Sequence, residues 1–80
     1  MKIIEIYSKG CLSCDYMYRL QKRLDVYDKI IHIENTSKEA VQYNITIVPT
    51  FIVIYKDDIV HKYEGAGRKE LEYIKATYLD

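Results

Sequence analysis

The stretch Glu5-Ile6-Tyr7-Ser8-Lys9-Gly10-Cys11-Leu12-Ser13-Cys14 is an apolar strand that passes through a short turn into a helix opening on a C-x-x-C pair. Both cysteines of the chain lie in it. On a helix, residues three apart sit one turn above each other with Cβ atoms about 5 to 6 Å apart. That is within reach of a disulfide, whose Cα atoms lie about 4.4 to 6.8 Å apart. A helix beginning near Cys11 also places that sulfur among unpaired backbone N–H groups, at the positive end of the helix dipole. Such surroundings favour a thiolate, so Cys11 is expected to be the attacking nucleophile. Cys14 lies a turn deeper, shielded from solvent and poised to break a mixed disulfide formed on Cys11. Attack followed by resolution is thiol–disulfide exchange.

Eighty residues make one domain, expected to span 1–80, and a chain this short buries only about 60% of its unfolded surface. The 12 basic and 12 acidic residues are interspersed and cancel, so no field is set up for nucleic acid or an acidic membrane. Neither is an expected partner. Met1-Lys2-Ile3-Ile4-Glu5 lacks the uninterrupted apolar core of a signal peptide, and no stretch approaches the roughly 18 apolar residues of a membrane span. A cytoplasmic location is expected, where a C-x-x-C beside a βαβ pattern reads as redox-active rather than as a structural staple.

Lys2 to Tyr7 carries Ile3, Ile4 and Ile6 on both faces, as a central strand covered on both sides requires. From Leu12 to about Val26, Met17, Leu20 and Leu24 recur at helical spacing, predicting an amphipathic helix. Ile30 to Glu34 predicts a buried strand parallel to the first, completing a βαβ unit. Thr36 and Glu39 have capping-box spacing, so a brief helix is expected from Ser37 to Tyr43. Pro49, the only proline, stands before the strongly apolar Thr50 to Tyr55, where the missing N–H marks a strand's entry. Lys56-Asp57-Asp58 signals a tight turn, and Ile59 to Glu64 alternates like a half-exposed antiparallel strand. Gly65-Ala66-Gly67 precedes a last helix with an inward stripe of Leu71, Ile74 and Tyr78. The predicted order is β-α-β-α-β-β-α.

Three features in this order, Cys11-Leu12-Ser13-Cys14 at a strand-to-helix turn, Val48-Pro49-Thr50 entering the third strand, and Gly65-Ala66-Gly67 before the final helix, make the whole chain resemble the thioredoxin superfamily. Its size and the start Ile6-Tyr7-Ser8-Lys9 look like glutaredoxins, while Tyr43 to Thr50 and the following hairpin look more like thioredoxin. The resemblance implies an α/β thioredoxin fold of minimal glutaredoxin-like size, with a four-stranded mixed sheet and three helices. It implies a cis Pro49 opposite the cysteines, with the Val48 backbone pairing to an extended substrate segment. Gly10, Leu12 and Ser13 are expected to border that substrate. Glu5, six residues before Cys11, falls where thioredoxins keep a buried acid, and is proposed to take the proton of Cys14.

The implied activity is a dithiol–disulfide oxidoreductase that needs no bound cofactor beyond the Cys11–Cys14 pair. It would reduce protein disulfides, ribonucleotide reductase among the expected targets, and be recharged by thioredoxin reductase or glutathione; a monomer is expected. The sequence departs from both relatives. The tryptophan and proline around the thioredoxin cysteines are missing, Ile30 falls where thioredoxins carry a lysine near the buried acid, and Arg68 and Lys69 replace the acidic residues that follow the glutaredoxin Gly-Gly.

Rival readings are a glutathione-dependent glutaredoxin and a non-catalytic adaptor that clamps a partner protein with its surface or holds a soft metal such as Cu(I) on its thiolates. A closed zinc site would need four ligands, and His32 and His61 are distant in sequence from the pair. Both histidines are assigned to strand surface or core edge without chemistry. Lys9 is read as a solvated lysine, or as one that steers an acidic substrate group or raises the thiolate fraction of Cys11 through its charge, and Tyr16 as rim packing beside the substrate groove.

Overall fold

The computed structural model describes residues 1–80. β1 (Lys2–Tyr7), α1 (Leu12–Arg23), β2 (Ile31–Glu34), α2 (Lys38–Val41), β3 (Thr50–Tyr55), β4 (Asp58–Glu64) and α3 (Arg68–Ile74) follow one another in the expected order. The strands form one mixed sheet ordered β2-β1-β3-β4. β1 is parallel to β2 and antiparallel to β3, and β4 returns antiparallel to β3.

β1 and β3 are therefore central, and their continuous apolar runs serve both faces of the sheet. On one face Ile3, Phe51 and Val53 pack with Met17 and Leu20 of α1 and with Leu71 and Ile74 of α3. Tyr78, on the turn that extends α3, leans on the same cluster. On the other face Ile4, Ile6 and Ile52 meet Ala40 of α2. That helix has only four residues, and it leaves Ile31 and Ile59 at the sheet's edges about half exposed.

Several boundaries differ from the sequence expectation. α1 stops at Arg23, not near Val26, because Asp25 takes a left-handed conformation (φ 59°) that turns the chain into a short 3-10 turn at Tyr27–Lys29. β2 starts at Ile31 and is an edge strand, so it is only partly covered. α2 is shorter than expected and its capping box does not form. Thr36 Oγ1 instead donates to Glu34 Oε1 at 2.8 Å, and Ser37 is the N-cap without a side-chain bond. In β4 the register shifts opposite Val53 and Ile54, so that His61 and Ile59 are their partners and Val60 is an extra residue. That irregularity twists an exposed edge.

Candidate active site

Gly10 makes the turn from β1 to α1 at φ +75°. Nothing lies within 4 Å of where a Cβ would sit, so glycine is needed there for its backbone, not for space. Cys11 is then the N-cap of α1, with extended φ and ψ, and its Sγ accepts a hydrogen bond from the Cys14 N–H at 3.1 Å. The two thiols are free and unequal: Cys11 is partly exposed, Cys14 buried. Burial, followed by the neighbouring Cys11 side chain, pushes the Cys14 thiol up to about 12. Cys14 thus holds its proton until something nearby takes it.

Glu5 is the nearby acid, 3% exposed in the middle of β1. Burial raises its carboxyl to about 7, against a smaller downward pull from the hydrogen bond of Gln21. Gln21 Nε2 donates to Glu5 Oε1 at 3.0 Å and to the Met17 carbonyl at 3.2 Å. Glu5 Oε2 is buried without a hydrogen-bond partner. Glu5 and Cys14 line one cavity of about 240 Å³ together with Tyr7, Tyr18, Tyr27 and His32.

The third strand's entry loop lies on the other side of the pair. Val48–Pro49 is cis, the Pro49 carbonyl accepts from the Ala66 N–H at 2.9 Å, and Thr50 Oγ1 donates to the Ile47 carbonyl at 2.6 Å. A groove of about 500 Å³ runs between this loop and the start of α1, lined by Leu12, Ser13, Tyr16, Ile47, Val48, Pro49 and Gly65 to Gly67. Gly65, at φ +60°, would bring a Cβ within 3.2 Å of Ile47 Cδ1. Leu12 is 88% exposed and Ile47 49% exposed, an apolar rim on an otherwise ordinary surface.

Of the residues singled out in the sequence, Leu12, Ser13, Val48 and Pro49 share this groove, and Tyr16 is on it. Gly10 is not. It lines a separate depression with Ser8, Lys9, Cys11 and Cys14. Lys9 Nζ is 3.7 Å from Glu34 Oε2 and Arg68 is paired with Glu72 at 3.1 Å. No group of three or more His, Cys, Asp or Glu side chains comes together as a metal site.

Two residues of the site escaped the sequence reading. His32, assigned no chemistry, has its Nε2 2.8 Å from Gln21 Oε1 and 3.6 Å from Glu5 Oε1. The strand register pairs His32 with Glu5, so His32 and not Ile30 is the basic neighbour of the buried acid. Ile30 belongs to the apolar core. Gln21 is fully buried, and its signal was available: a polar side chain four residues after Met17, on the apolar stripe of an amphipathic helix.

A C-x-x-C pair at the mouth of the first helix, faced by a cis-proline loop on a four-stranded mixed sheet, defines a thioredoxin-fold protein with a dithiol site. No protein-family model and no curated protein matches the chain. Solved structures do match it. It aligns with the reduced thioredoxin pre-protein of Schistosoma mansoni at a TM-score of 0.79 and 26% identity, over 96% of this chain and 77% of that one. The short form of thioredoxin f from spinach chloroplast aligns at 0.69 and 26%, over 92% and 72%. Plasmodium falciparum thioredoxin aligns at 0.74 and 23%, over 95% and 79%. The chain belongs to the thioredoxin superfamily, and these likenesses support a thiol–disulfide oxidoreductase type of function.

Proposed function

We propose that the reduced chain donates two electrons to disulfides in extended protein segments. The observation that carries this reading is the asymmetry of the pair: a partly exposed Cys11, followed directly by Leu12 and Ser13 of the apolar groove, and a buried Cys14 whose amide donates to the Cys11 sulfur. The Cys11 thiolate attacks one sulfur of the substrate disulfide, an S–S bond forms between chain and substrate, and the other substrate sulfur leaves as a thiolate that takes a proton from water. Cys14 then gives its proton to the Glu5 carboxylate and attacks Cys11 Sγ. The Cys11–Cys14 bond forms, the bond to the substrate breaks, the second substrate sulfur leaves as a thiolate that takes a proton from water, and Glu5 returns its proton to water, so that the substrate is left as two thiols.

Leu12, Ser13 and Ile47 border the visiting segment, and the Val48–Pro49 backbone lies alongside it in the manner of an added strand. The redox centre is the sulfur pair itself, with no further cofactor. A thioredoxin reductase is the favoured reductant over glutathione, because Arg68 and Lys69 stand where glutaredoxins carry the acidic residues that hold glutathione. A solved neighbour is a thioredoxin f2 in complex with ferredoxin:thioredoxin reductase, which supports a reductase as partner. Targets are enzymes whose cycle leaves a disulfide to be reduced, ribonucleotide reductase being one such class.

The test is insulin reduction driven by thioredoxin reductase, run beside reduction of a small mixed disulfide driven by glutathione. The expected result is turnover in the first system that Cys11→Ser abolishes. Absence of turnover in both, with the fold intact, would overturn the reading.

A further inference from the structure

We propose that Gln21 and His32 are positioning residues of this redox centre: Gln21, itself held by His32, occupies Glu5 Oε1, so that the proton exchanged with Cys14 is carried on Oε2. The inference rests on the reading of Glu5 as the base for Cys14. Gln21 has two amide hydrogens, and both are placed: one on Glu5 Oε1 at 3.0 Å, one on the Met17 carbonyl at 3.2 Å. Its Oε1 must then accept, and the atom in front of it is His32 Nε2 at 2.8 Å. His32 therefore carries its hydrogen on Nε2 and leaves Nδ1 free. That Nε2–H is spent on Gln21 Oε1 and stands 3.6 Å from Glu5 Oε1, so one N–H, that of Gln21, is donated to that oxygen and the histidine backs it from just beyond. Neither faces Oε2.

A carboxyl with one oxygen held by a donor protonates on the other. Oε2 is buried and has no partner, and Glu5 shares its cavity with Cys14. The ring of His32 is held in turn by Tyr27, stacked at 4.0 Å between centroids and 17° between planes. The groups that bear on this acid can be named element by element. Gln21 and Cys14 come from α1, His32 from β2, and Tyr7, Tyr18 and Tyr27 line the shared cavity. Opposite Glu5, β3 offers only Phe51. Lys22 and Asp28 act on His32 with opposite signs, beneath the larger effect of burial, and its proton affinity is lowered.

The step can be isolated with a chromogenic aryl disulfide, 5,5′-dithiobis(2-nitrobenzoate). Cys11 attack releases one coloured thiolate, and Cys14 attack on the mixed disulfide releases the second. The rate of the second release is followed against pH in a rapid mixer, with Cys14→Ser as the variant that lacks it. In the unaltered protein this rate rises through an inflection near pH 7, the value to which burial brings Glu5. Gln21→Met removes a donor that favours the carboxylate and moves the inflection up by about one pH unit, a tenfold effect. His32→Phe, which releases Gln21, moves it in the same direction, while His32→Gln restores a donor to Gln21 Oε1 and returns the profile toward that of the unaltered protein. Neither change alters the first release.

If Glu5→Gln abolishes the inflection but Gln21→Met and His32→Phe leave it in place with near-ultraviolet circular dichroism unchanged, the positioning role is overturned and the role of Glu5 stands. If Glu5→Gln leaves it in place, both are overturned. Should Gln21→Met fail to fold, the His32 pair of variants decides the matter alone, because His32 sits on an edge strand.

Discussion

At the scale of single residues, the buried acid makes the clearest demand. Glu5 ionises near 7 in the folded chain and near 4.5 when unfolded, so the folded state binds that proton more tightly. Its contribution to stability is therefore complete below pH 4.5 and is lost as pH rises through 7. The difference amounts to about 3 kcal/mol at alkaline pH. Glu5→Gln, which cannot ionise, is expected to gain stability relative to the unaltered protein between pH 5 and pH 8.5. Thermal melts at the two ends of that range measure it, and parallel curves would show that Glu5 is not the group responsible. Cys14 makes a second demand. Cys14→Ser leaves Cys11 able to attack but unable to be freed, so a mixed disulfide with a protein substrate should accumulate and be visible by mass spectrometry. Cys11→Ser should trap little, because the remaining thiol is buried.

At the scale of elements, the β3–β4 hairpin shows local chemistry that is not yet optimal. Its turn residues Lys56 and Asp57 both adopt left-handed backbone (φ 50° and 68°), the geometry for which Asn-Gly is preferred. Replacing Lys56-Asp57 by Asn-Gly is expected to stabilise the chain by about 0.5 to 1 kcal/mol, readable as a higher urea midpoint at constant slope. The same element illustrates what a sequence discloses. The Lys56-Asp57-Asp58 signal and the alternation of β4 were legible because they depend on neighbours along the chain. The meeting of His32 with Glu5 was not, because it depends on how β2 is registered against β1 across 27 residues. The capping box at Thr36 failed for a related reason: Glu34, drawn close by the end of β2, offered Thr36 a better partner. The C-x-x-C pair and Pro49 were readable because each is fixed by one turn and one strand entry.

At the scale of the whole molecule, the groove is assembled from the start of α1, directly after Cys11, the loop before β3 and Gly65 to Gly67. Leu12 contributes almost nothing to the core at 88% exposure. Leu12→Asp is therefore expected to change stability by no more than about 0.5 kcal/mol. It should lower kcat/KM for a protein disulfide about tenfold, and more than for a small aryl disulfide that barely reaches the groove. An equal fall for both substrates would place the protein segment elsewhere.

The two faces of the sheet are covered very unequally, by α1 and α3 on one side and by four residues of α2 on the other. Breathing motions should follow that imbalance. Backbone amides of α2 and of the adjoining edge strand will trade their hydrogens for deuterium through partial openings that leave α1, α3 and the thiol pair intact, so the working rim stays assembled while the thinly roofed side loosens.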